Sequence, residues 1–236
     1  MKVLALDTSS IVASVAVMDD DILLGEYTLN HNKTHSQKLV PMIQQLLSNL
    51  ELEPCDIDIF AVSKGPGSFT GLRIGIATAK TMAYALDKPV IGIPTIDVLA
   101  HNISFCKHLI CPIMDARNNQ VYTALYEWVS VGQKRLTEYM GVKIEELAGI
   151  IRENIDKSKE KVIFTGDGVR IYKPFFSNEL GKKCIFAPDN LLLQRASSVA
   201  EIALNPVYKG KGKNEDCFSL VPFYLRKSQA ERAKNV

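Results

Sequence analysis

The sequence lacks the features that mark several large classes of protein. No apolar run reaches the length of about 18 residues that a membrane span needs, and the apolar start that ends at Asp7 is too short for a signal peptide. The five cysteines are an odd number without a Cys-x-x-Cys pair, which argues against a disulfide framework and indicates a cytoplasmic protein. Because the net charge is only +2, any RNA contact is expected to be local or shared with a partner.

Sequence motifs of common catalytic sites are also missing. The glycine-rich segment Lys64–Gly75 has neither the Gly-Lys-Ser/Thr ending of a P-loop nor the spacing of a dinucleotide-binding loop. A structural turn and a ligand-binding loop therefore both remain open for it. Ser68 lies outside a Gly-x-Ser-x-Gly motif, which argues against a hydrolase.

Metal chemistry finds little support in the sequence. The predicted first helix, Thr34–Leu50, has no acidic residue, and the strand before the glycine-rich segment ends in Ser63-Lys64, so a two-metal nuclease is disfavoured. His31 and His35 have the spacing of metal ligands on a helix, but they lie in an Asn-containing polar stretch that favours a surface turn. Cys106 and Cys111 flank a strand-like run, where buried thiols are preferred over a metal site.

The first half of the chain has clear secondary-structure patterns. With 47% hydrophobic and 23% charged residues, the 236-residue chain should fold, and two domains are preferred over one large domain. The patterns predict three meander strands, a helix, a strand, a helix and a strand, at 2–7, 11–18, 22–29, Thr34–Leu50, Ile57–Ser63, Thr70–Leu86 and Pro89–Ile93. This order predicts an α/β fold of the actin-like (ribonuclease-H-like, ASKHA) class, two-lobed, with mixed sheets flanked by helices.

The second half is less regular. Its predicted elements are strands at His108–Met114, Val121–Trp128 and Lys161–Thr165, and helices at Ile144–Ile155 and Ser197–Leu204. We place the boundary so that residues 1–100 form the N-terminal lobe and residues 101–236 a smaller C-terminal lobe. The segment Val221–Arg226 is expected to return to the core.

One face of the predicted helix Thr70–Leu86 is nearly free of side chains, because Gly71, Gly75, Ala79 and Ala83 recur every four residues. Such a face permits close approach of another helix, either the chain's own first helix or a helix of a second subunit. If a subunit lies there, Gly75→Leu should weaken pairing without unfolding the monomer.

Three short segments are candidates for residual nucleotide contacts. Asp7-Thr8-Ser9-Ser10 and Asp115-Ala116-Arg117 follow strands where actin-like ATPases bind metal and phosphate, yet they lack the glycines of those proteins. Gly166-Asp167-Gly168 suits an adenosine contact or an ordinary turn. The basic loop Lys209–Lys213 is typical of a solvated loop and could also guide an RNA backbone.

Together these pieces resemble the TsaB (YeaZ) family. The resemblance covers nearly the whole chain, and its most specific motif is Gly65-Pro-Gly-Ser-Phe-Thr-Gly-Leu-Arg73. The other residues that carry it are Ala5 to Ser9, His35-Ser36, Leu39 to Ile43, Asp115-Ala116-Arg117, Val121-Tyr122, Pro222, Tyr224, Leu225 and Arg226.

The resemblance implies a protein without catalytic activity, cofactor or metal. Its partners would be the catalytic subunit TsaD and the ATPase TsaE, and together they would attach threonylcarbamoyl to N6 of adenosine 37 in tRNAs that read ANN codons (t6A synthesis). Such a protein forms a homodimer when alone, meets tRNA only through the complex and binds no membrane. The alternative is an independent actin-like ATPase or phosphotransferase that uses Asp7, Asp115 and Gly166.

The resemblance also implies where the sites lie. Pairing in the family uses the two N-terminal helices, whose predicted interface residues here are Leu39, Ile43, Leu46, Gly71, Gly75, Thr78, Ala79 and Met82. The predicted residual nucleotide contacts are Asp7, Ser9, Ser10, Asp115, Arg117, Gly166 and Gly168.

Overall fold

A computed structural model describes residues 1–30, 35–130, 132–158, 161–205 and 217–225. Four sequence-based expectations concern residues outside these ranges: the polar surface turn at His31, the start of a helix at Thr34, the solvated or RNA-guiding loop Lys209–Lys213, and Arg226 at the end of the segment expected to return to the core. The chain divides into two compact units, one of Met1–Val98 with Gln194–Tyr224 and the other of Leu99–Leu193 with Leu225–Val236.

The elements of the first half match the predicted ones to within two residues at each end. They are β1 (Lys2–Asp7), β2 (Val12–Asp19), β3 (Ile22–Asn30), α1 (His35–Asn49), β4 (Ile59–Gly65), α2 (Phe69–Ala85) and β5 (Val90–Pro94). This agreement is expected, because each element is either a short apolar run or an apolar pattern at helical spacing, bounded by polar or glycine-containing turns.

The second half contains more elements than its sequence pattern predicts. They are α3 (Thr95–His101), β6 (Leu109–Asp115), β7 (Gln120–Thr123), β8 (Tyr126–Val129), β9 (Gly132–Arg135), β10 (Met140–Lys143), α4 (Ile144–Ser158), β11 (Val162–Thr165), α5 (Val169–Leu180), β12 (Cys184–Phe186) and α6 (Ala196–Leu204). The predicted strand Val121–Trp128 is two strands, because the chain changes its hydrogen-bonding partners between β7 and β8.

The first unit is a mixed five-stranded sheet covered on both faces. Its strand order is β3-β2-β1-β4-β5, with antiparallel pairing within the meander β1–β3 and parallel pairing from β1 to β4 and from β4 to β5. Side chains alternate along β1, so Leu4 and Leu6 pack against α1 and α2 while Val3 and Ala5 pack against α6. The continuous apolar sequence of β1 reflects this burial on both faces.

The position of α6 corrects the predicted domain boundary. We had assigned all of residues 101–236 to the second lobe, but Gln194–Tyr224 belongs to the first unit. Glu26 of β3 helps to hold α6 there: its carboxylate accepts hydrogen bonds from the Arg195 side chain at 2.6 Å and from the Ser197 backbone N–H at 2.9 Å. These are long-range contacts, and sequence periodicity carries no information about them.

The second unit contains a seven-stranded sheet. Five strands follow the order β10-β7-β6-β11-β12, and β8 pairs with β6 and β9. Phe164 of β11 lies at the centre of the packing below α5, with its ring 4.5 Å from that of Phe176 and 5.6 Å from that of Phe186. Cys111 of β6 is buried beside the Thr123 hydroxyl, and burial raises the pKa of its thiol to about 12.

The described part of the C-terminal segment docks on the first unit. Leu220 is buried in the core that α1 and α2 share, and the Phe223 N–H donates to the carbonyl of Lys64 at 2.6 Å. This agrees with the expected return of Val221–Arg226 to the core, as far as Tyr224. Among the described helices, none is long and apolar enough to span a membrane.

Candidate functional site

The carboxylate of Asp7 is bound by the chain's own hydroxyl and amide groups. One oxygen accepts hydrogen bonds from the Ser9 N–H at 2.9 Å and the Ser9 hydroxyl at 2.7 Å, and the other accepts a short bond from the Ser63 hydroxyl. Asp7 is buried, and burial raises the pKa of its carboxyl, while the bonds from Ser63 and Ser9 and the charge of His35 act in the opposite direction. The contact with Ser63, which lies 56 residues away, is invisible in the sequence.

The raised pKa of Asp7 predicts how the stability of the first unit depends on pH. The folded carboxyl keeps its proton at pH values where the unfolded carboxyl, with its ordinary pKa of 3.8, has lost it. The stability that Asp7 contributes is therefore complete below that value and is lost as the pH rises through the folded pKa, with a slope of at most about 1.4 kcal/mol per pH unit. Relative to Asp7→Asn, the wild-type protein should lose unfolding free energy over this window.

Urea unfolding of both proteins over a pH series measures this difference. If the unfolding free energy of the wild type minus that of Asp7→Asn increased with pH, Asp7 would be a stabilised carboxylate, contrary to our interpretation.

Ser10 and His35 also contact their own chain. The Ser10 hydroxyl donates to the Gln194 side-chain oxygen at 2.8 Å. The backbone carbonyl oxygen of Ser10 lies 2.8 Å from Nε2 of His35. The His35 ring, at the first residue of α1, therefore contacts a backbone carbonyl of its own unit. Gln194 was not predicted, since it is distant in sequence.

The glycine-rich segment is packed against the Thr8-Ser9 turn. The Ser68 N–H donates to the Ser9 carbonyl at 2.7 Å, and a Cβ added at Gly67 would overlap the same carbonyl oxygen. Gly65 has φ +116° and faces the carbonyl of Phe223, so a side chain there would be both strained and obstructed. These contacts favour the structural turn over the phosphate-binding loop.

The small-residue face of α2 lies against the unit's own sheet. A Cβ at Gly71 would overlap the Thr8 carbonyl oxygen, and one at Gly75 would overlap the Thr8 hydroxyl. Ala79 and Ala83 are buried in the core shared with α1. For Gly71 and Gly75, the sequence offered two neighbours, the chain's own first helix or a helix of a second subunit. Both were wrong, because the close neighbour is Thr8 in the turn after β1. The expectation that Gly75→Leu leaves the monomer folded is therefore also corrected.

The predicted interface residues divide by exposure. Six are buried within the first unit, namely Leu39, Ile43, Leu46, Gly71, Gly75 and Ala79, so any direct contact with a partner is expected from their exposed neighbours instead. Thr78 and Met82 are half-buried and remain predicted contacts. Positions 70, 77, 81 and 85 form a second stripe of small side chains on the opposite, exposed side of α2, so the sequence alone offered two candidate faces.

We call the solvent side of these two helices the pairing face. It is formed by Val40, Pro41, Gln44 and Ser48 of α1 and by Ile74, Ala77, Thr78, Thr81 and Ala85 of α2. Neither helix contains an acidic residue. Val40 is 48% exposed and adds an aliphatic side chain to this face.

The cations beside the pairing face contact their own unit. The Arg73 guanidinium lies 3.8 Å from the centre of the Phe69 ring and donates to the Tyr224 hydroxyl at 3.3 Å. The Lys80 ammonium donates to the carbonyls of Phe218 and Leu220, at 3.3 and 3.0 Å. The pairing face is thus an uncharged surface beside two cations that contact the C-terminal segment.

The second unit brings together the other predicted nucleotide contacts. The Asp115 carboxylate accepts hydrogen bonds from the Arg117 N–H and the Tyr172 hydroxyl, both at 2.9 Å, and the Asp167 carboxylate accepts from the Asp115 N–H at 3.1 Å. Burial raises the pKa of Asp167, and the nearby charge of Asp115 acts in the same direction. Sequence reasoning did not identify Tyr172.

Gly166 and Gly168 form a tight turn against β6. Gly166 has φ +99°, and a Cβ there would overlap the carbonyl of Ile113, which accepts a hydrogen bond from the Gly168 N–H at 3.1 Å. This geometry favours the turn that the sequence left open. Among the residues that the structure describes, no group of three or more His, Cys, Asp or Glu side chains could hold a metal ion.

Sequence comparison relates the chain to proteins of tRNA modification. The family described as TsaD, tRNA N6-adenosine threonylcarbamoyltransferase, matches residues 23–234. The chain is 33% identical over 232 residues to the tRNA threonylcarbamoyladenosine biosynthesis protein TsaB of Bacillus subtilis (strain 168), which covers 98% of this chain and 96% of that protein. It is 29% identical to the protein of the same name from Escherichia coli (strain K12), and the match covers 98% of this chain and 96% of that protein.

Comparison with solved structures shows the actin-like fold. YeaZ from Pseudomonas aeruginosa has a TM-score of 0.78 at 23% identity, covering 95% of this chain and 99% of that one. The activator of the 2-hydroxyisocaproyl-CoA dehydratase from Clostridium difficile, with bound ADPNP, has a TM-score of 0.53 at 12% identity, covering 92% and 99%. The predicted fold class is thus confirmed.

Proposed function

Since the chain belongs to the TsaB family of tRNA threonylcarbamoyladenosine biosynthesis proteins, we propose that it is the non-catalytic subunit of a tRNA threonylcarbamoyltransferase. It works in the cytoplasm with a TsaD-type catalytic subunit and a TsaE-type ATPase. The complex transfers threonylcarbamoyl to N6 of adenosine 37 in tRNAs that read ANN codons. Alone, the chain forms a homodimer through the surface that binds the catalytic subunit.

The pairing face is the observation that carries this proposal. The centre of a protein interface is depleted of charged residues, and small side chains let two helices approach closely. The exposed positions Ala77, Thr81 and Ala85 of α2 meet both conditions, and the exposed Val40 of α1 adds apolar area. The four cation contacts of Arg73 and Lys80 keep the flanking charges on their own unit.

The contacts of Asp7 support a role without catalysis. A carboxylate that directs a metal ion must present its oxygens to that ion, whereas both oxygens of Asp7 accept hydrogen bonds from Ser9 and Ser63. The burial that raises the Asp7 pKa also disfavours the charged form that a metal needs. These observations count against the alternative of an independent actin-like ATPase or phosphotransferase that uses Asp7, Asp115 and Gly166.

Reconstitution separates the two functions. The purified chain should hydrolyse ATP no faster than a buffer blank. A mixture of the chain with TsaD-type and TsaE-type proteins, tRNA and threonylcarbamoyl adenylate should form the modified adenosine, measured by nucleoside mass spectrometry. Omitting the chain should reduce product formation by at least about 100-fold, which corresponds to about 3 kcal/mol of lost stabilisation.

A tRNA with guanosine at position 37 is the matched control substrate and should remain unmodified. Rapid ATP hydrolysis by the chain alone, or full product formation without it, would refute the proposed function.

A further inference from the structure

An aromatic ring protrudes from the second unit in an unusual backbone conformation. Phe105 is 89% exposed, and its φ of +55° lies in the left-handed region, which is rare for a bulky residue. Such a conformation costs of order 1–3 kcal/mol and persists only where the surroundings impose it. At Phe105 this backbone conformation coincides with the largest exposed fraction among the exposed large apolar residues of the described chain.

The turn that carries Phe105 is anchored on both sides. Before it, Ile103 is buried, the Asn102 side-chain amide donates to the carbonyl of Leu193 at 2.9 Å, and the Ser104 hydroxyl donates to the carbonyl of His101 at 2.8 Å. After it, the backbone N–H of Leu109 donates to the carbonyl of Lys161 at 3.0 Å. The ring is therefore presented to solvent from a defined position.

A second ring lies beside the first. The Trp128 ring of β8 is 5.2 Å from that of Phe105 at an interplanar angle of 46°, and 5.6 Å from the His101 ring. The tilted contact supports Phe105 from the side of Trp128, and the 89% exposure shows that most of the Phe105 ring stays accessible. Phe105 and Trp128 together form what we call the aromatic platform.

Charge near the aromatic platform favours an anionic ligand. Residues 99–108 include Lys107 and two histidines but no acidic residue. In the hairpin of β8 and β9 the acidic residue is Glu127, and its carboxylate pairs with the Lys134 ammonium at 3.1 Å. Lys107, which is exposed, is therefore available to a phosphate next to the platform.

The size of the platform favours a nucleobase over a protein surface. A stable protein interface needs about 800 Å² on each partner, whereas one aromatic side chain contributes about 150–250 Å². Between residues 99 and 136, the described large apolar side chains that are exposed are Phe105 and Leu136, and Leu136 is only 37% exposed. One flat ring beside a cation is the arrangement that stacks an unpaired base.

We propose that the aromatic platform stacks an unpaired base of RNA, with Lys107 contacting an adjacent phosphate. The proposal rests on the proposed function in one respect, namely that the RNA is the tRNA substrate of the complex. The contact is local, in keeping with the net charge of +2, and adds affinity to a complex whose other subunits bind the rest of the tRNA.

Fluorescence of Trp128 tests the proposal directly, because it is the chain's single tryptophan. At low ionic strength, a hairpin RNA with an unpaired loop should quench this fluorescence to saturation, and a blunt RNA duplex of equal length should not. Phe105→Ala should weaken hairpin binding by about 10-fold or more, since stacking on one ring contributes about 1–3 kcal/mol per base. Phe105→Tyr keeps a stacking ring and should bind as the wild type does.

Phe218→Ala is the matched control. Phe218 is 68% exposed and contacts another aromatic ring, that of Tyr84, but it lies in the first unit. Its loss should leave hairpin binding unchanged, and thermal melting should show all variants folded. Equal quenching by duplex RNA, or unchanged binding by Phe105→Ala, would overturn the proposal. So would quenching by the TsaD-type protein without any response to RNA, because the surface would then be a protein interface.

The reconstitution assay keeps the two proposals separate. If the wild type supports modification and Phe105→Ala does so at the same rate and the same KM for tRNA, the platform proposal fails and the proposed function stands. If the wild type supports no modification, the proposed function fails, whereas specific quenching by hairpin RNA would still establish the stacking site.

Discussion

The variant Ala77→Arg is expected to remain a folded monomer that no longer pairs. Ala77 is exposed in the middle of α2, so an arginine there meets solvent in the isolated chain and fits a helix well. In a closely packed helix pair the same guanidinium would be buried without a partner, which costs about 3 kcal/mol or more and lowers association at least about 100-fold. In a two-fold symmetric homodimer the same face of both subunits meets, so the two introduced arginines would also repel each other.

Light scattering and co-purification measure this effect. The wild-type chain should have the mass of a dimer and co-purify with a TsaD-type protein, while Ala77→Arg should have the mass of a monomer and elute alone. Formation of modified tRNA in the reconstituted system should decrease in parallel.

Ser177→Arg provides the matched control. Ser177 is exposed on α5 in the second unit, so this substitution introduces the same side chain on a helix surface that is not part of the pairing face. It should pair and support modification as the wild type does. If Ala77→Arg kept the dimer mass and bound the catalytic partner, pairing through this side of α2 would be excluded.

Gly75→Leu is expected to destabilise the first unit by about 3 kcal/mol, the upper end of the usual cost of overpacking and a large part of the roughly 5–15 kcal/mol that keeps a domain folded. The added Cβ would overlap the Thr8 hydroxyl, and Gly75 is buried, so the larger side chain has no space to move into. Thr8 cannot turn aside without cost, since its hydroxyl donates to the Gly71 carbonyl at 2.7 Å. Thermal and urea unfolding measure the loss.

Gly149→Leu is the control for this prediction. Gly149 lies on α4 of the second unit, and a Cβ there would have no neighbour within 4 Å. The same exchange should therefore be neutral or stabilising by up to about 1 kcal/mol, because leucine is the better helix former. A similar loss of stability in both variants would mean that leucine on a helix, and not contact with Thr8, causes the effect.

A double-mutant cycle locates the conflict at one atom. Gly75→Ala alone overlaps the Thr8 hydroxyl, but once Thr8→Ala removes that oxygen the nearest atoms to the new Cβ are Val62 Cγ2 at 3.5 Å and Thr8 Cβ at 3.6 Å. These are ordinary contact distances. The double variant should therefore lose less stability than the sum of the two single variants, by about 1 kcal/mol or more. Additive losses would contradict the proposed overlap.

Secondary structure in the first half followed from the sequence because the signals there are local. Each strand is a short apolar run and each helix has apolar or small residues at helical spacing, and polar turns or glycines separate these elements. In the second half the strands are four residues long in several cases, which is too short to establish a period, so β9 and β10 were missed and β7 and β8 were merged. The helix α5, with Pro174 inside it, was also missed.

The candidate site was only partly readable from the sequence. Asp7, Asp115 and the glycine-rich segment were identified as special, and the structure shows what they contact. The partners that explain them, Ser63 and Tyr172, lie 56 and 57 residues away along the chain, so no local pattern could reveal them. The side of α2 that faces solvent was misjudged for a related reason. Both sides consist of small residues, and only the position of Thr8 shows which side is covered.

The sequence by itself determined the family, the actin-like fold class and the elements of the first half, because motifs and hydrophobic periods are properties of neighbouring residues. The tertiary structure decided that α6 completes the first unit, that the carboxyl group of Asp7 is bound by two serines, and which side of α2 is exposed. It also showed the exposed Phe105 beside Trp128. Each of these depends on contacts between distant segments, which form only when burial of the whole core brings them together.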